Sequence, residues 1–506
     1  MTDDLAQLES APVEAAAGDE QERGLVVRAW SVLTGDESFR PWTVIAWVGL
    51  VVLMGVALVD TLTYDFTVHP IVGDQASHIF TTLSVAGPGH NLSYDIRDLQ
   101  QFNDLHWQPK PYGIYFQQYG GDGWAYAKPY GYGVYAGPFA WLFGAIRGVA
   151  VANTALLLIL AAASVAMLRL RYRGPVVPLT VGAFVFLGLP LFYAYVIHPD
   201  LMIGVLTALV FLLVLVHWRT KHTAFAAAAF AGSAILFVEN PRAVIVVLPA
   251  FLVVLWELRS WSKRLVAIAV GVVALGLAIA PNLFYSNGKS WNAYAGDRFQ
   301  AVPSLGSHVP FDGVHTLRLQ GWRQVHTGEN FSASAIWDRL VEDPSRAANA
   351  TFNYFFGRHT GMLVFLPVGF LILLLVLVHV RRLDVHAWAI LIGVLSYIAI
   401  YVFVWPKNYY GGAQSLGNRY FLQVAPALLA LAVAAKLRVR ELASAAAAGA
   451  LLAVLFMFPH FEDPSASYSV GLTRTSWLQR QLPFESGISY PNAFRLSARA
   501  VKPPAP

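Results

Sequence analysis

Residues 43 to 60 read TVIAWVGLVVLMGVALVD, an apolar run that ends at the charged side chain of Asp60. A helix needs roughly 20 apolar residues to cross the hydrocarbon core of a bilayer, and this run approaches that length. It is too long and too uninterrupted to be the apolar part of a cleaved signal peptide. The pattern therefore predicts a signal-anchor helix that holds the chain in a membrane.

The composition of the whole chain agrees with a membrane protein. Of 506 residues, 56% are hydrophobic and 13% are charged. Soluble proteins have roughly 25% charged residues, so this chain cannot cover a soluble surface. Composition thus argues against a disordered chain, a fibre and a nucleic-acid-binding module. The chain has no cysteine, which excludes disulfides, thiolate metal ligands and a cysteine nucleophile.

Ten further apolar stretches of about spanning length follow the first. The shorter ones need tilt or extended ends to cross a bilayer. They lie at 148–168, 175–197, 201–218, 223–238, 243–257, 264–284, 361–380, 386–404, 420–435 and 441–458. We therefore predict an all-α polytopic membrane protein with about eleven transmembrane helices, in a membrane domain that covers residues 42–458.

Five clusters of basic residues between these stretches orient the chain. Cytoplasmic loops of membrane proteins carry an excess of Lys and Arg. All five clusters fall on one side only if the aromatic segment 130–146 does not cross the bilayer. The clusters are Arg169/Arg171/Arg173, Arg219/Lys221, Arg259/Lys263/Arg264, Arg381/Arg382 and Lys436/Arg438/Arg440. We therefore predict that Lys128 to Ile146 forms an interfacial or re-entrant segment on the outer face.

This topology sorts the polar parts of the chain between the two faces. The acidic segment 1–41 becomes a disordered cytoplasmic tail. The large loops 61–147 and 285–360 and the C-terminal tail 459–506 lie outside, whereas the inner face has only short basic turns. We therefore place the function on the extracytoplasmic face, in a chain whose composition is typical of a bacterial cytoplasmic membrane protein.

The first outer loop contains a carboxylate in a position suited to chemistry. Asp74 and His78 are four residues apart and share one face if the segment is helical. A carboxylate just outside the bilayer can take a proton from an attacking hydroxyl. The alternative is that Asp74 only caps a helix that begins after Gly73. The side chains that we expect toward lipid on this helix are Ile79, Leu83 and Val85.

Three outward-facing cations are candidates for binding phosphate. Lys128 precedes a proline in an aromatic segment, although a lysine that only snorkels to the interface would have the same sequence. Arg358 and Arg419 stand at the outer entries of two predicted helices, against the usual charge bias. A lipid phosphate would compensate them, since guanidinium groups bind phosphate in a bidentate manner. The alternative is a salt bridge to an acidic loop residue.

Several short motifs together resemble the GT-C type membrane glycosyltransferases, which use polyprenyl-phosphate sugars as donors. The pattern is similar to the branch that contains protein O-mannosyltransferases and the lipid A aminoarabinose transferase. It covers the chain from Trp42 to about Pro459. The matching motifs are Gly73-Asp74, the Lys128-Pro129 aromatic segment, Pro199-Asp200 after the third span, and Gly417-Asn418-Arg419-Tyr420 before a late helix.

The resemblance implies roles for individual residues. Asp74 matches the first-loop carboxylate that serves as general base or positions the acceptor, but Gln75 stands where most relatives have a second acid. Asp200 matches an acidic residue at the outer helix ends and is the second catalytic candidate, unless it only stabilises the positive end of its helix. The residues expected to bind substrate are Lys128, Tyr130, Glu239, Arg242, Arg358, His359, Asn418, Arg419 and Tyr420.

One of these expected roles has a simpler alternative, and a metal ion is a further candidate. Arg242 either binds phosphate or pairs locally with Glu239. Some relatives place a divalent cation near the donor phosphate, so Mg²⁺ or Mn²⁺ is a candidate cofactor, with Asp74 and His78 as its ligands. No spacing of these residues supports a zinc site.

The resemblance predicts an enzyme that transfers a sugar from a polyprenyl phosphate to a hydroxyl of a glycolipid, a polysaccharide or a protein. One base without a covalent nucleophile favours a single displacement with inversion. The main alternative is a transporter or flippase for an anionic lipid-linked substrate, in which the outward arginines bind the substrate before it moves. A non-catalytic scaffold is the second alternative.

Overall fold

The computed structural model describes residues 41–64, 74–87, 90, 92, 114–119, 123–285, 298–301, 323–325, 344–404, 416–462, 475–483 and 485. Side chains are described for most of them, but not for Asp74, Ala76, Gly123, Trp124 or the strand residues 114–119, 298–301 and 323–325. Of the predicted acidic tail 1–41, only Pro41 belongs to the described residues.

The described chain is mostly helical and contains 17 helices. They are α1 (Pro41–Thr63), α2 (Asp74–Ala86), α3 (Gly131–Phe143), α4 (Ala145–Arg169), α5 (Val176–Val181), α6 (Leu189–Tyr193), α7 (Asp200–Thr220), α8 (Thr223–Glu239), α9 (Val244–Glu257), α10 (Trp261–Tyr285), α11 (Pro344–Phe356), α12 (Met362–Phe365), α13 (Pro367–Val378), α14 (Val385–Ala399), α15 (Phe421–Ala434), α16 (Val439–Phe461) and α17 (Trp477–Arg480). Turns of π-helix follow α5 and α14, at Gly182–Phe186 and Ile400–Val404, and a 3₁₀ turn at Val380–Arg382 follows α13.

Six helices of the described chain are long and apolar enough to cross a membrane. They are α1, α4, α7, α10, α16 and α14 together with its π-helical turn, and each coincides with a predicted span. The other predicted spans overlap five shorter apolar helices, at Val176–Phe186, Thr223–Glu239, Val244–Glu257, Pro367–Val378 and Phe421–Ala434. The fold is therefore that of a helical membrane protein, and length and composition assign six of its helices as candidate spans.

The predicted basic clusters meet at one end of the helix bundle. Hydrogen bonds and ion pairs connect the turns that carry them. The contacts are Arg171 Nη2 to the carbonyl oxygen of Lys436 (3.4 Å), Arg219 Nη1 to that of Leu170 (2.8 Å), Lys221 Nζ to Glu257 Oε1 (2.7 Å), His386 Nε2 to the same oxygen (2.7 Å) and Lys436 Nζ to Asp384 Oδ2 (3.1 Å). This is the arrangement that the assignment of all five clusters to one face of a membrane requires.

A four-stranded antiparallel sheet joins the two large predicted outer loops. Its strands are β1 (Ile114–Tyr119), β2 (Gly123–Tyr126), β3 (Arg298–Ala301) and β4 (Arg323–Val325), in the order β2-β1-β3-β4. Phe116 of the first loop pairs with Phe299 of the second, so both loops lie on the same side. The sequence predicts only helices and does not indicate this sheet, because short strands in polar loops leave no apolar alternation to detect.

Helix α2 is covered by α3, which lies within the segment predicted not to cross the bilayer. Ile79 and Leu83 are 1% and 0% exposed, so our expectation that they face lipid is wrong, and Val85 is half-buried. The reason is that glycines on α3 let it lie close against this face, where Gly133 and Gly137 contact Thr81 and Val85. With 13 residues, α3 is about 20 Å long, which is shorter than the roughly 30 Å core of a bilayer.

Candidate active site

The site forms where α7 and α15 begin, at the end of the bundle opposite the basic turns. Asp200 is the first residue of α7, and Arg419 and Tyr420 directly precede α15. The helices cross closely, since a Cβ at Gly204 would lie 2.9 Å from the carbonyl oxygen of Leu422. Two helix N-termini therefore meet here, and each contributes partial positive charge.

Arg419, His198 and Asp200 form a line of polar contacts. Arg419 Nη1 donates to His198 Nε2 (2.7 Å), and His198 Nδ1 lies 2.7 Å from Asp200 Oδ2. A guanidinium has no acceptor, so Nε2 must be unprotonated and the ring proton sits on Nδ1, facing the carboxylate. Arg419 Nη1 is also 3.9 Å from Asp200 Oδ2. Among the described residues, Arg419 is thus the permanent cation that compensates the buried carboxylate, both directly and through the imidazole of His198.

The other oxygen of Asp200 is held by a second chain of hydrogen bonds. Gln423 Nε2 donates to Asp200 Oδ1 (3.3 Å), and the hydroxyl of Tyr397 donates to Gln423 Oε1 (2.6 Å). All three side chains are buried. The sequence analysis missed Gln423 and Tyr397. The available signal was the amide of Gln423 within an otherwise apolar helix, since polar side chains at membrane depth are uncommon and usually have a function.

Aromatic rings and a second arginine extend the site. The ring centroids of Tyr401 and Tyr420 lie 4.1 Å apart. The guanidinium carbon of Arg419 is 5.2 Å from the Tyr420 ring centroid, and that of Arg242 is 5.9 Å from the Tyr401 centroid. Asn418 Oδ1 accepts a hydrogen bond from the backbone N–H of Tyr420 (3.0 Å), which fixes the turn that carries Arg419. Two guanidinium groups beside aromatic faces suit a ligand with both a phosphate and a sugar ring.

Helix α2 of the first outer loop reaches this cluster through His78. The ring centroid of His78 lies 5.4 Å from the centroid of His198 and 5.8 Å from the centroid of Tyr132. Tyr132 in turn donates to Asn153 Oδ1 (2.8 Å). The helix begins at Asp74, so the backbone of Asp74 precedes that of His78 by about 6 Å along the axis. The side chain of Asp74 lies outside the described part of the structure.

Glu239 closes the site against the start of α3. Its side chain is 2% exposed, and Oε1 accepts a hydrogen bond from the backbone N–H of Gly131 (2.9 Å). Among the described residues, Oε2 is buried without a hydrogen-bond partner. The neighbouring Tyr130 donates its hydroxyl proton to the carbonyl of Ala278. Lys128, which the sequence analysis expected at the membrane surface, is only 7% exposed.

Gly131→Ala should destabilise the protein, because an added Cβ would clash with the Glu239 carboxylate. We expect a loss of about 1–3 kcal/mol in unfolding free energy, typical of overpacking, measured by unfolding in detergent micelles. Gly55→Ala in α1 is the matched control, since no described atom outside the adjacent backbone of its own helix lies within 4 Å of its Cβ position. The loss should shrink when Gly131→Ala is combined with Glu239→Ala. An equal loss in both backgrounds would contradict the clash.

Arg358 and His359 hold the C-terminal segment. Arg358 donates from Nε and Nη2 to the carbonyl oxygen of Leu482 (3.1 and 2.8 Å), and from Nη2 to that of Arg480 (2.6 Å). Glu485 Oε1 accepts from the backbone N–H groups of His359 (2.6 Å) and Thr360 (2.9 Å). Two roles were predicted for Arg358, phosphate binding and a salt bridge, and among the described contacts its guanidinium binds these two backbone carbonyls.

His359 should make the protein sensitive to acid. Burial lowers the pKa of its imidazole to about 4, and Arg358 and His460 add to the effect. Because an unfolded histidine has a pKa of roughly 6.5, only the unfolded state binds the proton between these values, and stability falls as the pH is lowered through that window. Burial raises the pKa of Glu485, which acts in the opposite direction.

The test is the melting temperature of wild type and His359→Asn, measured from pH 7 down to about pH 4, near the folded pKa of His359. Since both proteins contain Glu485, the difference between the two curves isolates the imidazole. We expect the acid-induced loss to be smaller in the variant. Parallel curves would contradict the shifted histidine.

No group of three or more His, Asp or Glu side chains is arranged to hold a metal ion within the part of the chain that the structure describes. The predicted ligand His78 faces His198 and Tyr132. The other predicted ligand is Asp74, whose side chain is not among those described, so a divalent cation at this pair stays a prediction.

The chain matches no protein-family model, no curated protein sequence and no solved structure. Its function is therefore inferred from the site and from the sequence motifs that form it.

Proposed function

We propose that the protein is a membrane glycosyltransferase that moves a sugar from a polyprenyl phosphate to an acceptor hydroxyl. The observation that carries the proposal is the convergence of three distant motifs on one polar cluster. His78 follows Gly73-Asp74 by one helical turn and contacts His198, which in turn contacts Asp200 and Arg419. These motifs are the ones that resemble GT-C type glycosyltransferases.

In the proposed reaction the acceptor oxygen bonds to the anomeric carbon of the sugar while the bond from that carbon to the phosphate oxygen breaks. The acceptor proton passes to the carboxylate of Asp74, which acts as general base. The electron pair of the broken bond leaves with the phosphate as polyprenyl phosphate. One displacement of this kind inverts the anomeric centre.

The cations of the site would stabilise the charge that develops on the leaving phosphate. Arg419 and Arg242 are the main candidates, with Lys128 as a third. Asp200 acts as a positioning residue, since it orients Arg419 both directly and through His198. Arg358 and His359 are left out of this clamp, because their contacts hold the C-terminal segment.

The sugar would lie against the aromatic side of the site. Tyr420 and Tyr401 supply ring faces, and Asn418 fixes the turn before them. Glu239 Oε2, buried without a hydrogen-bond partner among the described residues, is a candidate acceptor for a sugar hydroxyl. Tyr130, next to the Gly131 N–H that holds Glu239, belongs to the same wall.

We further propose that all eleven apolar segments span a bacterial cytoplasmic membrane. The meeting of the five basic clusters at one end supports this orientation, with that end in the cytoplasm. The site then opens on the extracytoplasmic face, where the polyprenyl chain of the donor enters from the bilayer. The acceptor is a glycolipid, a polysaccharide or a protein.

The test is transfer by the purified protein in proteoliposomes. Donors are polyprenyl-phosphate hexoses and pentoses labelled in the sugar, and acceptors come from a membrane extract. We expect the label in an acceptor fraction, together with an equal amount of free polyprenyl phosphate. Movement of the intact labelled donor between leaflets without any product would overturn the proposal in favour of a flippase. Chelation followed by Mg²⁺ or Mn²⁺ tests the metal.

A further inference from the structure

A cavity lies at the basic end of the bundle. It has a volume of about 640 Å³ and forms where α7 and α9 end and α10 begins. Because α7 has 21 residues and starts at the candidate active site, the two sites are separated by about 30 Å along its axis. The residues that matter for its chemistry are Lys221, Trp256, Glu257, Arg259, Ser260 and Lys263.

The cavity has an excess of positive charge. It is lined by three cationic side chains, Lys221, Arg259 and Lys263, and by one carboxylate, Glu257. That carboxylate is already engaged, since Glu257 Oε1 lies 2.7 Å from both Lys221 Nζ and His386 Nε2. Arg259 and Lys263 are exposed and make no ion pair within the described part of the chain. The N-terminus of α10, with Ser260 beside it, adds further positive potential.

The surroundings of the cavity indicate that its anion comes from a lipid. Trp256 and Trp261 are 68% and 73% exposed at the basic end of the bundle. The guanidinium carbon of Arg264 lies 5.1 Å from the ring centroid of Trp261. Exposed tryptophans collect at the depth of lipid headgroups. Directly after them, α10 exposes Leu265 and Val266, as a helix that faces acyl chains does.

We propose that this cavity binds the phosphate of an anionic phospholipid headgroup. The guanidinium of Arg259 and the ammonium of Lys263 contact the phosphate oxygens, and the indole rings of Trp256 and Trp261 contact the glycerol and upper acyl region. Cationic pockets between helices at a membrane surface bind anionic headgroups by this combination of charge and depth. The site is independent of the proposed glycosyl transfer.

Native mass spectrometry of the full-length protein in detergent tests the proposal, with phosphatidylglycerol as the anionic probe and phosphatidylcholine as the zwitterionic one. We expect Arg259→Gln/Lys263→Gln to weaken phosphatidylglycerol binding by roughly tenfold or more. The charge-preserving swap Arg259→Lys/Lys263→Arg should retain most of the binding. The matched control is Arg381→Gln/Arg382→Gln, an exposed pair at the same end outside the cavity, which should change binding less than twofold.

Three outcomes would overturn the proposal. Equal weakening by the control pair would mean that the surface charge as a whole attracts the lipid. Equal binding of phosphatidylcholine would remove the need for an anion. Displacement of phosphatidylglycerol by inorganic phosphate at comparable concentration would identify a site for free phosphate without a lipid contribution.

Discussion

Asp74→Asn should lower the rate of sugar transfer by about 10²- to 10⁴-fold, the usual contribution of a general base. Asparagine keeps the shape of the side chain but cannot take the acceptor proton. The donor phosphate is bound by cations elsewhere in the proposed site, so donor affinity should change little. Initial rates in proteoliposomes and equilibrium binding of labelled donor measure the two effects separately.

Glu462→Gln is a suitable control for this experiment. Glu462 is an exposed carboxylate directly after α16, and its substitution removes one negative charge without touching the candidate site. Transfer should continue at the wild-type rate. Retained transfer in Asp74→Asn would remove this residue from the mechanism, whereas a parallel loss of donor binding would indicate that Asp74 binds substrate instead of acting as a base.

The helices were predictable from sequence because a long apolar run in a membrane favours one structure, the α-helix. A buried or lipid-facing backbone must satisfy its own hydrogen bonds, and a helix does so locally. The same reasoning fails where the partner is distant in sequence. Strand β1 pairs with β3 although helices α3 to α10 lie between them in the chain, and nothing in either short strand specifies its partner.

The faces of α2 illustrate a second limit of sequence reasoning. The segment has apolar residues on one side, and periodicity alone does not say whether they meet lipid or protein. The residues on this face meet protein because Gly133 and Gly137 on α3 let this neighbouring helix cover Thr81 and Val85. The same ambiguity applies to Lys128, whose burial depends on neighbours that its own motif does not contain.

The candidate site was predictable in part for an electrostatic reason. Arg419 stood out because a cation at a predicted outer helix entry needs compensation, whereas Asp200 stood out because its motif resembles one of the GT-C glycosyltransferases. Their connection through His198, and the support of Gln423, depend on how two helices cross and are visible only in three dimensions. Arg358 met the same criterion, and its guanidinium donates to backbone carbonyls of a segment more than a hundred residues later, a contact that no local pattern indicates.

Arg419→Met should be among the most destabilising substitutions in the chain. The Asp200 side chain is only 2% exposed, and among the described residues the guanidinium, 3.9 Å away, is its nearest permanent cation. Removing one partner of a buried ion pair costs about 3–5 kcal/mol, because the remaining charge keeps its desolvation penalty without compensation. His198 Nε2 would also lose its donor. Unfolding in mixed detergent micelles, followed by tryptophan fluorescence, measures the loss.

Charge and packing can be separated by a double-mutant cycle. If the loss arises from an uncompensated carboxylate, Asp200→Asn in the Arg419→Met background should recover stability, because the neutral amide needs no cation and can still bond to Gln423. The coupling should exceed about 1 kcal/mol, well outside the roughly 0.5 kcal/mol within which independent sites add. Arg381→Met, at an exposed position of the opposite end, should change stability by less than about 0.5 kcal/mol. Additive losses at Arg419 and Asp200 would contradict the charge argument and indicate that the guanidinium stabilises the site by packing alone.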